Sequence, residues 1–215
     1  MSESVAITDP RVQELLAEAS AWRLLGLLFE RPRDGWREDV EALSRVVSDA
    51  GITTAADAAH KEATEGLHLA ILGPGGPVSP REVSYRGMED PGHIIADIRA
   101  FYDAFAFQPQ TEEAPDHLSV ETGFVGYLCV KEAYARTRGN VDEAEVAEKA
   151  AARFCEGHLS PLAWSVAERL QATSARYLSL AATALARRTG PCRDSETAAK
   201  APLWSCDDCL ECGEE

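Results

Sequence analysis

Apolar residues recur at intervals of three and four along most of the 215-residue chain, and nowhere do they alternate in twos. That spacing lines one face of an α-helix and argues against half-buried strands. The pattern opens at Asp9-Pro10, an N-cap residue followed by proline at the first helical position. Val12, Leu15, Leu16, Ala19, Trp22 and Phe29 then follow at helical intervals, while Leu24, Leu25, Leu27 and Leu28 cover the remaining faces. A helix apolar on all sides belongs at the centre of a fold. The run from Leu24 to Phe29 is much shorter than the ~20 residues that cross a bilayer.

The same reasoning lays out the rest. A second helix is expected over 36–49, with Val40, Leu43, Val46 and Val47 inward and Gly51 as its stop. Thr54 and Asp57 resemble a capping box for a third helix reaching Leu72. Asp90-Pro91 starts another, with Ile94, Ile95, Ile98, Phe101, Tyr102 and Phe105 on one face. Asp116 can cap a helix that ends near Gly139, Asn140 opens one that reaches His158, and Ser160-Pro161 starts one or two more, up to Arg188. The expectation is an all-α fold: a single domain of about eight helices over 1–190, followed by an acidic, Cys-rich tail over 191–215. Two polar connections interrupt it, over 73–91 and 107–115. The first holds Pro74, Pro77, Pro80, Gly75, Gly76 and Gly87. Connections that long inside a compact domain are uncommon and often functional.

Charge narrows the partners. Lys and Arg number 21 against 36 Asp and Glu, for a net charge of −15. Such a surface repels phosphate backbones and anionic lipid, so neither nucleic acid binding nor membrane insertion is expected. It attracts basic peptides. Met1 to Pro10 carries Glu3 and Asp9 and no basic residue, unlike a secretory signal, and the reading is a cytoplasmic protein. Cys129 and Cys155 fall within helical patterns as lone core thiols.

Few residues argue for catalysis. No phosphate-binding glycine loop joins a strand to a helix, and no serine sits in a nucleophile elbow. The most chemical segment is Glu113-Ala114-Pro115-Asp116-His117-Leu118-Ser119-Val120-Glu121. Pro115 brings the chain in extended, and Asp116 would face the unpaired N–H groups of the helix start. His117 and Glu121 are four apart and share a face. Local chemistry alone reads this as a helix cap with an exposed histidine; as acid–base groups of a hydrolase or transferase, the three would lack a nucleophile.

The segment also resembles the signature of the cytoplasmic molybdoenzyme maturation chaperones, which serve trimethylamine N-oxide, dimethyl sulfoxide and nitrate reductases. Three pieces carry the likeness in the family's order. They are the loop Leu72 to Tyr85, with its Gly-Pro, Pro and Ser-x-Tyr elements; Glu113-x-Pro115-Asp116-His117-Leu118-x-x-Glu121, followed by Phe124 and Tyr127-Leu128; and Phe154-x-x-x-His158-Leu159 with Trp164 beyond. Thr122-Gly123 stands where the family has a large apolar residue, and Gly126 is nearby. Such small residues leave room for close packing. The resemblance implies a non-enzymatic, system-specific chaperone that needs no cofactor and acts as a monomer or dimer. It would bind the apo molybdoenzyme catalytic subunit or its twin-arginine leader until cofactor insertion. It implies client-binding roles for Pro115, Asp116, His117, Glu121, Pro74 and Tyr85. His158, near a helix end, is read as structural.

The tail carries a separate signal. Cys206, Cys209 and Cys212 form C-x₂-C-x₂-C, with Cys192 upstream as a fourth candidate ligand. Four thiolates can hold zinc or an iron–sulfur cluster. This pattern supports an alternative reading, a metal or cluster carrier that delivers through its tail.

Overall fold

A computed structural model describes residues 9–191. They form α1 (Pro10–Leu28), α2 (Trp36–Ser44), α3 (Ala50–Glu62), α4 (Glu65–Leu72), α5 (Pro91–Ala104), α6 (Leu118–Thr137), α7 (Val141–Phe154), α8 (Ser160–Leu170) and α9 (Arg176–Thr189). A single 3₁₀ turn, Glu82–Ser84, sits in the long connection, and a π turn, Cys155–Leu159, runs straight from α7 into α8. The described residues contain no strand, and the all-α expectation holds. Among them, no helix is long and apolar enough to cross a membrane. Residues 192–215, which hold the four cysteines of the tail, lie outside the described residues.

α1 is the central helix that its apolar surround requires: Leu24, Leu25, Leu28 and Phe29 are fully buried. It packs most extensively on α6. Two glycines permit the close crossing. A Cβ on Gly26 would lie 3.1 Å from the Ser119 carbonyl oxygen, and one on Gly126 would lie 3.1 Å from Trp22 Cβ. α3 packs on α9, α7 on α6, and α8 on α9. Trp36, at the start of α2, donates its indole N–H to the Leu27 carbonyl at 2.9 Å and closes one end of the core.

The helix boundaries depart from expectation around residue 50. α2 stops at Ser44, so Val46 points outward at 63% exposure while Val47 stays buried. Gly51 does not end α2; it lies in the first turn of α3. Asp49 caps α3, accepting from Gly51 N–H at 2.8 Å and Ile52 N–H at 3.1 Å. Thr54 is inside the helix, its hydroxyl donating to the Ala50 carbonyl at 2.6 Å. The expected single helix to Leu72 breaks at Ala63, and Thr64 caps α4 by accepting from Leu67 N–H at 3.1 Å. The caps at Asp9 and Asp90 are as expected.

Candidate groove and its buried polar support

The long connection lies against the proline turn because their backbones pair. Glu82 N–H donates to the Asp116 carbonyl at 2.9 Å, and Leu118 N–H donates to the Pro80 carbonyl at 2.8 Å. Arg81 and His117 thus form an isolated antiparallel bridge. Tyr102 of α5 donates its hydroxyl to the Pro115 carbonyl at 2.8 Å.

Asp116 is not the cap of α6. Its side chain is fully buried and turned onto the connection, where it accepts from Arg81 Nε at 2.6 Å and Val83 N–H at 3.3 Å. A guanidinium is a stronger partner for a buried carboxylate than a helix end. His117 takes the cap: its Nδ1 accepts from the Ser119 N–H at 3.2 Å and from the Ser119 hydroxyl at 2.8 Å. His117 is itself buried, and burial, then His68 and Arg81, push it down to about 3, so the ring is neutral. The segment read as exposed is therefore largely interior.

Behind this turn lies a charged cluster. Glu82, 1% exposed, accepts from Arg86 Nε at 2.6 Å, and its Oε2 lies 3.1 Å from His158 Nδ1. Burial pushes the Glu82 carboxyl up, but His158 and Arg86 outweigh it and hold it below the ordinary glutamate value. The other ring nitrogen of His158 lies 3.1 Å from Asp97 Oδ2 on α5. Arg86 also donates to the Gly157 carbonyl. Pro161 has no N–H to offer that carbonyl, so an α-register donor is missing there. Glu121, fully buried, reaches this cluster rather than His117; burial, then the Glu82 and Asp116 charges, push it well above the ordinary value. Phe154 stacks near His158, with centroids 5.0 Å apart, and near Phe124 at 4.8 Å. All three pieces of the sequence signature therefore meet at one place.

On the solvent side of the turn is a groove of about 450 Å³. Its wall includes His68, Leu72, Pro74, Arg81, Glu113 and His117. A second, of about 810 Å³, adjoins it through Arg31 and Glu113 and is lined by Glu30, Asp34, Glu65 and Glu112 among others. Of the residues expected to bind a client, Pro74 and His117 line the groove. Pro115, Asp116 and Glu121 stand behind it. Tyr85 is not part of the wall; its hydroxyl donates to the Ser79 carbonyl at 2.7 Å, and the Arg169 guanidinium sits 5.5 Å from its ring. Trp164 is 40% exposed and donates its indole N–H to the Gly190 carbonyl at 2.8 Å. Sequence reasoning missed His68, Arg81, Glu82, Arg86 and Asp97. Arg81, Glu82 and Arg86 belong to or adjoin the flagged loop, so charged residues between its prolines were the available signal. Among the described residues, no group of three or more His, Cys, Asp or Glu can hold a metal ion.

Residues 30–167, more than half of the chain, match the family model described as nitrate reductase delta subunit. The chain belongs to this family. It is 28% identical over 168 residues to the chlorate reductase assembly chaperone protein of Ideonella dechloratans, covering 75% of this chain and 80% of that protein. It is 30% identical, over the same length and shares, to the selenate reductase assembly chaperone protein of Thauera selenatis. No solved structure matches significantly. The family is that of the molybdoenzyme assembly chaperones, in agreement with the resemblance read from the motifs. The match runs from Glu30 at the mouth of the grooves to Ala167 of α8, so it contains the whole buried cluster.

Proposed function

We propose that this protein is a cytoplasmic, non-catalytic chaperone. It captures the apo catalytic subunit of one molybdenum oxidoreductase, leader peptide included, and holds it for cofactor insertion. The observation that carries this reading is the convergence of the three signature pieces on one buried cluster directly behind the groove, in a chain whose relatives are named assembly chaperones. Leu72, Leu69 and Pro74 offer an apolar wall for the uncharged part of a leader, while Asp34, Glu112 and Glu113 offer carboxylates for its arginines beside the Arg31–Glu65 ion pair. A net charge of −15 steers such a basic peptide toward the protein.

The test uses the apo catalytic subunit of a molybdoenzyme from the same organism and a synthetic peptide of its leader. Wild-type protein should retrieve both. Pro74→Ala combined with His117→Ala should weaken retrieval while leaving helicity intact. Affinity for the peptide should also fall with added salt, because exposed charges screen over roughly 8–10 Å at physiological ionic strength. Unaltered capture by the double variant would refute the groove assignment.

A further inference from the structure

Two carboxyl groups meet in the interior, and all the donors serve one of them. Glu82 accepts from Arg86 and faces His158. No N–H or O–H among the described residues reaches either oxygen of Glu121. The neighbour within hydrogen-bonding reach is the Glu82 carboxylate. Two ionised carboxylates offer only lone pairs and repel; one proton between them makes a short, strong O–H···O⁻ bond. The negative charge belongs on Glu82, where the guanidinium and imidazole are, which leaves the proton on Glu121. The geometry does not ask for a metal, because Arg86 already supplies the positive charge.

We propose that Glu121 is a neutral carboxylic acid donating to ionised Glu82, and that this pair positions the client groove. The proposal's second half rests on the reading of the groove given above. Glu82 is suited to the task because it binds three segments at once. Its backbone N–H holds the proline turn through the Asp116 carbonyl. Its carboxylate holds Arg86, which in turn holds the Gly157 carbonyl of the π turn, and it also faces His158 there. The turn it braces presents His117 and Arg81 to the groove. Other titratable groups face the pair from each side: Asp116 and Arg81 from the turn and connection, Asp97 and Tyr102 from α5, and Cys155 and His158 from the π turn.

The sign of the pH effect follows. Above the ordinary glutamate value of 4.5, the unfolded chain has released this proton while the folded chain keeps it. Stability is therefore full below that value and is lost as pH rises toward the folded-state value. Glutamine at 121 keeps an N–H donor for Glu82 and has no proton to lose.

Three full-length variants test this: Glu121→Gln, Glu121→Leu and Glu82→Gln. At neutral pH the infrared spectrum of the wild type should hold a protonated-carboxyl band that Glu121→Gln removes. Denaturant titrations should show wild-type stability falling more steeply than that of Glu121→Gln as pH rises. Absence of both signals overturns the proton, whatever happens with a client. Capture of the apo subunit should be kept within about twofold by Glu121→Gln but fall roughly tenfold in Glu121→Leu and Glu82→Gln, the order expected for an uncompensated buried charge. Should Glu82→Gln fail to fold, the leucine–glutamine contrast at 121 still decides. Equal capture by those two variants overturns the positioning role. A wild type with the infrared band that captures no client refutes the groove reading, and the positioning role with it, but leaves the shared proton standing.

Discussion

Arg86 reaches across 71 residues to the carbonyl of Gly157, the acceptor that Pro161 leaves without an α-register donor. The same guanidinium neutralises Glu82, so one side chain both satisfies the π turn and balances the buried charge. Pi turns are rare and tend to occur at functional sites. This one brings His158 alongside Glu82.

Arg86→Gln should therefore be costly. It leaves Glu82 facing Glu121 with only His158 to compensate. Breaking a buried pair by removing one partner typically costs about 3–5 kcal/mol. In a chain of this size that is a fall in Tm of roughly 6–20 °C. Arg86→Lys should recover part of it, because the charge remains but one ammonium cannot reproduce the guanidinium fork. A thermal melt of Arg86→Gln that overlays the wild type would show that Arg86 does not support the cluster.

How much of this could be read from sequence depends on range. The caps at Asp9 and Asp90, the all-round apolar stretch of α1 and the room beside Gly126 are local, and they appear as expected. Asp116 was misread because its partner, Arg81, lies 35 residues upstream. A carboxylate beside a helix start looks like a cap until a cation across the fold outbids the backbone. Glu121 sits four residues after His117 and shares its helix face, but its interior partner is out of local range: Glu82 is brought in by the long connection. The α3–α4 break falls in the polar run His60 to Gly66, where too few apolar residues outline a face for periodicity to mark an end.

The two glycines of α6 should respond oppositely to alanine. At Gly126 a Cβ would lie 3.1 Å from Trp22 Cβ and 3.3 Å from the Ala19 carbonyl oxygen, atoms on or beside the α1 backbone. The helices would have to separate, at about 1–3 kcal/mol. That exceeds the ~1 kcal/mol gained in helix propensity. At Gly123 no atom lies within 4 Å of the added Cβ, so propensity alone should raise stability. Gly126→Ala should lower Tm and Gly123→Ala should raise it; matching shifts would refute the close crossing.

Acid should loosen the groove before it unfolds the rest. Burial, then Arg31, push His68 down to about 4, and His117 lies at about 3. Both values are depressed below the ordinary 6.5, so their contribution is fully present above 6.5 and lost as pH falls through 4 and 3. The combined loss is on the order of a few kcal/mol. His117→Asn keeps a good N-cap and cannot be charged. Combined with His68→Leu, it should flatten this part of the stability–pH curve. An acid limb unchanged in the double variant would assign the acid sensitivity to carboxylates alone.

Deleting the tail separates the holding function from metal delivery. Within the described residues, α9 ends at Thr189 and Trp164 ties Gly190 to α8. The described residues bury an extensive apolar core of their own, so deleting 192–215 should leave Tm and client capture unchanged. A tail that carries metal should nonetheless matter for activating the client. Replacing Cys206, Cys209 and Cys212 by Ser should then reproduce the deletion, because serine keeps the size but is a poor ligand for soft metals. Anaerobically purified wild type should also carry zinc or show iron–sulfur absorption that the serine variant lacks. Normal activation by the serine variant, where the full deletion fails, would exclude metal and point to Leu203, Trp204, Leu210 or the acidic residues among them. Failure of the deleted chain to fold would show instead that the tail is part of the helical body.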